Sequence, residues 1–393
     1  MKIQISQRGR VVLCLYALST LQMGALAVAS SIADISDSFP EISTTLVQML
    51  ITLPILVQTP MAIVCSWFCK RFSAKTLILT ANILFLSGGL LPFFVHSFPV
   101  IMLARCLYGA AIGIQIPIVS TLTIEFFEGR RCASVMGCCS AIGMLGGMFY
   151  TYAGGKLAGL GWQYSFLAYL IGIPVLICIL FLFPRGIKTG AANTADAAIR
   201  TDIPMPPELF GLAGLAMIYI IFYFVYTNYI SLFVDGTSLG TAAHSGISYS
   251  IVNGSGFLGG LLFGTLSGKL KNHVLWFSSF ITGIGFFIIG FAYNLPVLYV
   301  GSIFLGLGLA WFLPQCNLCI AAIVPPEKLS FAYGLNSAIS NMGQFLSVLV
   351  IGVLCNVFHI ETIRNMFFLA FWGNVSLAII FMICMFYKRI LSP

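Results

Sequence analysis

The chain has 393 residues, of which 59% are hydrophobic and only 8% charged, with a formal net charge of +8 at pH 7. A soluble domain carries about a quarter of its residues as charges, and a soluble core of this length cannot hide so much apolar surface. The composition excludes an ordinary water-soluble protein and places the chain in lipid, where backbone polar groups are satisfied inside helices or closed barrels.

Barrel strands are short and alternate in polarity, whereas the apolar runs here are continuous, so helices are expected. With about 20 residues needed per crossing, the runs and their breaks predict twelve helices. They lie near 11–33, 44–69, 75–96, 98–126, 132–156, 162–184, 209–234, 243–268, 273–293, 296–324, 329–357 and 363–387. The first follows Arg8 and Arg10 and ends near an Ala25-Leu26-Ala27 stretch that resembles a signal cleavage site. It is long for a signal and many spans follow, so it reads as a membrane helix. It contains Gln22, and Asp34, Asp37 and Glu41 follow it.

The second span leads into "SWFCKRFSAK", residues 66–75, with Lys70, Arg71 and Lys75. Proline at Phe98-Pro99 interrupts the next run and opens the fourth span. Arg105 then lies roughly 10 Å along that helix at about 1.5 Å per residue. Arginine at a helix centre costs about 2.5–3.5 kcal/mol, so it faces a wet cavity or a partner. Its functional reading is substrate anchoring or coupling to protonation, and its structural reading is a tie to backbone carbonyls or snorkelling. Gln115 lies further along, and Glu125 and Glu128 close the span. Between the sixth and seventh spans, the polar stretch 185–208 ends in Pro204-Met205-Pro206-Pro207-Glu208 and reads as a cytoplasmic linker.

The seventh span is rich in aromatics, and Tyr219, Tyr223 and Tyr226 share one helical face. Asn228 is its internal polar residue. In the eighth, Gly256-x-x-x-Gly260-x-x-x-Gly264 is a small-residue stripe suited to close helix packing. The long run 272–326 breaks at Asn294-Leu295-Pro296. The tenth span carries Trp311 and Gln315 at i, i+4, and its Cys316-x-x-Cys319 reads as packing rather than metal or redox spacing. Asn336, Ser340 and Gln344 form a polar stripe in the eleventh. Interhelical hydrogen bonding is the plain reading of all these polar groups.

Shifting the chain by half its length brings landmarks into coincidence. Pro99-Val100 falls on Pro296-Val297, Gly109 on Gly306, Pro117 on Pro314, and Ala141-Ile142 on Ala338-Ile339. Repeated six-helix bundles are a transporter design, with substrate near the midplane. The expected organisation is a six-helix bundle over 1–184, a linker over 185–208 and a second bundle over 209–393. Nearly all of the 19 Lys and Arg fall on one side, including Arg8, Arg10, Arg71, Lys75, Arg130 and Arg131, while Lys156 and Arg364 fall on the other. By the positive-inside rule both termini are cytoplasmic. The positive charge then faces anionic lipid head groups rather than nucleic acid. No Ser–His–Asp pattern, phosphate loop or zinc spacing appears, so no enzyme, ATP-driven motor, cofactor or metal is expected.

These features resemble the major facilitator superfamily over nearly the whole chain, and specific stretches carry the likeness. Arg105-x-x-x-Gly109-x-x-x-Gly113 is similar to the family's fourth-helix motif. Residues 66–75 are similar to its loop between helices 2 and 3, with Arg71 and Lys75 matching and Lys70 standing where the family has an aspartate. The resemblance implies a cytoplasmic gate at this loop, with Glu125 as an alternative acid to Arg71 or Lys75 in place of the missing aspartate; the alternative is that these cations are only positive-inside anchors. "GGMFYTYAGG", 146–155, partly resembles the fifth helix of the drug-antiporter branch through Gly146, Gly154 and Gly155. Gly161-Trp162 and Phe166 resemble the family's start of helix 6.

The resemblance further implies a cavity lined by helices 1, 4, 7 and 10. It makes Gln22, Gln115, Gln315, Trp311, Tyr219, Tyr223, Tyr226 and Arg105 candidate substrate or coupling groups, and Asp34 the titrating candidate. Gly109 and Gly113 are expected in helix packing. Exporters of cations in the family commonly carry a membrane-embedded acid, and every acid here is expected near a helix end or in a loop. A cavity with one arginine and no acid favours neutral or anionic cargo. The expected protein is a monomeric secondary transporter of the bacterial plasma membrane, exporting small amphiphilic organic compounds with protons as coupling ion. Uptake or exchange of an organic anion is the alternative, and a membrane sensor without flux is a different class.

Overall fold

A computed structural model of the chain describes residues 5–127, 129–184, 187, 206–270, 273–325 and 329–386. Nearly all of the expected linker 185–208 lies outside them, as does Glu128. The backbone of Lys70 is described but its side chain is not. Among the described residues the structure is all helical, with no strand.

In chain order the elements are α1 (Ile5–Ser19), a 3-10 segment (Gly24–Ser31), α2 (Ile32–Ser38), α3 (Thr44–Arg71), α4 (Ala74–Phe94), α5 (Phe98–Phe126), α6 (Gly129–Ala158), a second 3-10 segment (Trp162–Ile171), α7 (Gly172–Leu182), α8 (Pro207–Gly236), α9 (Ala242–Leu270), α10 (Val274–Gly290), α11 (Leu295–Ile323), α12 (Leu329–Val357) and α13 (Ile363–Phe386). Among the described residues, ten helical stretches are long and apolar enough to span a membrane, α10 is a shorter apolar helix, and α9 completes twelve. The first crossing, Arg8–Ser38, combines α1, the 3-10 segment and α2.

Local chemistry explains several starts. Ser73 caps α4 by accepting from the Thr76 N–H at 3.2 Å. Asn294 does the same for α11 through the Val297 N–H at 3.0 Å. Proline in the first turn opens α5, α8 and α11, where its missing N–H is not needed.

The first crossing departs from the continuous helix expected over 11–33. Its α-helix stops at Ser19 and the chain turns through residues 20–23. Here the bonds span three residues, from the Leu21 N–H to the Leu18 carbonyl at 3.0 Å and from the Gly24 N–H to the Leu21 carbonyl at 3.2 Å. No proline marks the break, which is held by neighbouring helices. Asp34 consequently sits inside the short helix α2, partly buried, rather than in a loop after the first helix.

The chain divides into two compact units. The first contains Met1–Ser31 and Leu50–Arg200, and the second contains Ile32–Met49 and Thr201–Pro393. In the first, α4 packs along α5, and α6 packs on the 3-10 segment Gly24–Ser31. In the second, α11 packs between α9 and α10, α13 lies on α10, and α12 on α8. Large apolar side chains such as Ile63, Phe94, Phe181, Leu261 and Trp372 are exposed, as befits helices whose outer faces meet lipid.

Glycine sets the closest helix contacts. A Cβ at Gly109 would collide with the Pro54 carbonyl oxygen, and one at Gly113 would lie 2.6 Å from that of Gln58, so both glycines pack α5 against α3. The stripe in α9 differs from its expected role. A Cβ at Gly256 would meet the Gly306 carbonyl at 3.4 Å, but at Gly260 and Gly264 it would meet nothing within 4 Å. Small-residue spacing defines a face that permits close packing, and here no neighbour occupies its lower part. Gly259, one residue off the stripe, carries the contact to α11 through Leu307, Ala310 and Trp311.

Candidate functional site

Arg105 is wholly buried on α5. Its Nη1 donates to the Tyr169 hydroxyl at 2.7 Å and its Nη2 to the Gly88 carbonyl at 2.9 Å. Its guanidinium carbon lies 5.1 to 5.4 Å from the ring centres of Phe166, Tyr169 and Tyr108. A buried cation is tolerable when carbonyl and hydroxyl dipoles and aromatic faces replace its hydration. Two adjacent glycines make the arrangement possible. Gly88 lets α4 approach the Ala104 carbonyl of α5, and Gly89 leaves the space that the Tyr169 ring occupies. Arg105 is thus tied to protein groups through both terminal nitrogens, while its Nε has no hydrogen-bond partner.

The other glutamine and tyrosine candidates divide between the units. Gln22 sits in the turn of the first crossing, partly exposed, with its Oε1 beside Gly143 of α6. Gln115 is fully buried, and neither its Nε2 nor its Oε1 has a hydrogen-bond partner. Asn82 of α4 is in the same condition.

In the second unit, Tyr219, Tyr223 and Tyr226 are all buried. Tyr219 stacks on Phe312 at 3.7 Å and its hydroxyl bonds Thr282 at 2.8 Å. The Tyr226 hydroxyl joins Ser248 at 2.8 Å and Ser302 at 3.2 Å, and those two serines bond each other at 2.8 Å. The hydroxyl tips of Tyr219 and Tyr226 are therefore engaged by α9, α10 and α11 rather than offered as an open wall. Trp311 donates its Nε1–H to the Gly259 carbonyl at 2.9 Å, and Gln315 accepts from Ser267 at 3.3 Å. Asn228 reaches α12 through Ser347 at 3.0 Å. Cys316 and Cys319 are free thiols inside the helix packing.

At the expected gate, Arg71 lies over the Trp67 ring at 4.5 Å, and Glu125 is exposed near the end of α5. Lys75 donates to the Leu180 and Phe183 carbonyls at 2.7 and 2.9 Å, which caps the C-terminal end of α7. A cation there satisfies orphan carbonyls and complements the helix dipole. Lys75→Met is expected to cost about 1–2 kcal/mol of stability, read as a lower thermal midpoint that Lys75→Arg restores. An unchanged midpoint contradicts the capping role.

Sequence reasoning did not single out Tyr169, Ser248, Ser302, Thr282 or Asn82. One signal for Ser302 was present, because the half-chain shift sets it where the first half has Arg105. Arg364, expected only as an outer-side charge, donates to the Gly290 and Ala292 carbonyls at 2.6 and 3.1 Å and lies 4.4 Å from the Tyr293 ring centre. It caps α10 as Lys75 caps α7.

The family model described as Major Facilitator Superfamily matches residues 12–286 and 215–393. Among solved structures, the chain is similar to a bacterial homolog of the human lysosomal transporter Spinster in an inward-facing, unoccupied conformation. That match has 16% identity and a TM-score of 0.76, and covers 100% of both chains. The nucleoside transporter NupG matches at 15% identity and TM-score 0.73, over 95% of this chain and 99% of that one. A D-xylose-proton symporter matches at 14% identity and TM-score 0.71, over 98% of each. At these identities the likeness is one of fold.

Proposed function

The chain belongs to the major facilitator superfamily, and from that premise we propose that it is a secondary active transporter working by alternating access, exporting small amphiphilic organic compounds on a proton gradient. It is an integral membrane protein with the fold of membrane transporters. The observation that carries the substrate class is the chemistry of the buried polar groups. Among the described residues Arg105 is the only buried charged side chain, and the rest are hydroxyls and carboxamides. Such groups match uncharged molecules with a few polar atoms and an apolar body. They offer a permanent cation no counter-charge.

Within the first unit Gln22 and Gln115 are the groups proposed for substrate, and within the second unit Tyr223, Trp311 and Gln315. Arg105 is assigned to positioning, because its guanidinium is already committed to Tyr169 and Gly88. Asp34, partly buried within the first crossing, is the group assigned to proton coupling. The proposed setting is the bacterial plasma membrane with both termini cytoplasmic, the protein acting as a monomer.

A second reading, uptake or exchange of an organic anion, is favoured by one feature. The Arg105 charge has no carboxylate partner among its contacts, and its Nε has no hydrogen-bond partner. Flux in proteoliposomes tests both readings, using neutral, anionic and cationic probes with and without a pH gradient. Gradient-dependent flux of neutral amphiphiles is expected. Flux of anions alone establishes the second reading, and binding without flux establishes a sensor.

A further inference from the structure

The turn in the first crossing is held from two sides within the first unit. On one side α6 presents glycines, since a Cβ at Gly146 or Gly154 would collide with the carbonyl oxygen of Thr20 or Ala27. On the other side stand two tyrosine hydroxyls. Tyr108 accepts from the Ala25 N–H at 2.8 Å and donates to the Gln22 carbonyl at 3.4 Å. Tyr169 donates to the Gly24 carbonyl at 2.6 Å while accepting from Arg105 at 2.7 Å. Both tyrosines are buried. A broken helix at lipid depth exposes backbone groups that must find partners in the protein, and here two side chains supply them. The donation from Arg105 polarises the Tyr169 O–H and strengthens its bond to Gly24. Within this assembly Arg105, Tyr108 and Tyr169 are closed off, while the Gln22 side chain remains partly exposed.

Resting on the transport reading above, we propose that Tyr108 and Tyr169 are positioning residues that hold the turn of the first crossing, fixing the Gln22 carboxamide for substrate, with Arg105 acting through Tyr169. Substrate affinity then depends on hydroxyls that the substrate never touches.

Two readouts on the full-length protein test this. The first is hydrogen exchange of the backbone amides of residues 20–31 in lipid nanodiscs, which needs no substrate. Tyr108→Phe and Tyr169→Phe are each expected to speed exchange there by about tenfold, the effect of losing one net hydrogen bond, with α10 of the other unit unchanged. The second is transport kinetics with radiolabelled chloramphenicol as a neutral amphiphilic probe. Tyr108→Phe is expected to raise KM by about tenfold with the maximal rate held within about twofold. Gln22→Ala is expected to do the same, and the double variant to be no worse than Gln22→Ala alone. Unchanged exchange overturns the proposal, as does a KM effect that adds to that of Gln22→Ala. Should Tyr169→Phe fail to fold, Tyr108→Phe carries both readouts. A wild type that moves no probe overturns the transport reading, and the exchange data alone then decide whether the hydroxyls hold the turn.

Discussion

Gly154→Leu is expected to abolish assembly of the first unit. The glycine faces the Ala27 carbonyl oxygen of the 3-10 segment, and any Cβ there collides with that backbone atom. Overpacking against side chains typically costs about 1–3 kcal/mol because rotamers adjust. A carbonyl inside an unwound segment has no rotamer to change, so α6 must move away and uncover the face of the 3-10 segment on which it packs. The measurement is yield and monodispersity in mild detergent, with Gly260→Leu as the control. A Cβ at Gly260 meets nothing within 4 Å, so that variant is expected to behave as wild type. Equal recovery of Gly154→Leu and Gly260→Leu contradicts the packing of α6 on the first crossing.

Arg105→Ala is expected to reduce gradient-driven flux by at least tenfold and to lower the thermal midpoint. Truncation leaves the Tyr169 hydroxyl and the Gly88 carbonyl without their donors and opens a cavity among three aromatic rings. Losing hydrogen bonds to a charged group together with side-chain volume costs roughly 2–4 kcal/mol, partly offset because a buried charge is removed. Arg105→Lys is expected to restore little, since an ammonium cannot reproduce the planar fork that reaches both acceptors. Thermal unfolding and flux on the same preparations check this. Wild-type values of both for Arg105→Ala contradict the account of Arg105.

Much of the architecture was legible because lipid imposes a simple rule. Continuous apolar runs of sufficient length became helices, and Pro99 and Pro296 stand in the first turns of α5 and α11. The break after Ser19 was not legible, because its causes lie far along the chain in Tyr108, Tyr169 and the glycines of α6. Arg105 stood out by charge alone, yet its partners are 64 and 17 residues away, and no periodicity relates them. Helical spacing put Tyr219, Tyr223 and Tyr226 on a common side of α8 and left open what covers that side. In the structure the covering groups include Phe312, Thr282, Ser248 and Ser302. The Gly260 and Gly264 positions teach the same lesson, since composition shows where helices can approach and tertiary structure decides whether they do.

We propose that an interior in which Arg105 is the only fully buried charge among the described residues moves uncharged amphiphiles. The most direct test loads proteoliposomes with a permanently charged dication or with neutral chloramphenicol and measures flux of each against the other as competitor. Saturable flux of the neutral compound, with little flux of the dication, is the predicted result. Strong dication flux that neutral compounds do not inhibit would contradict it.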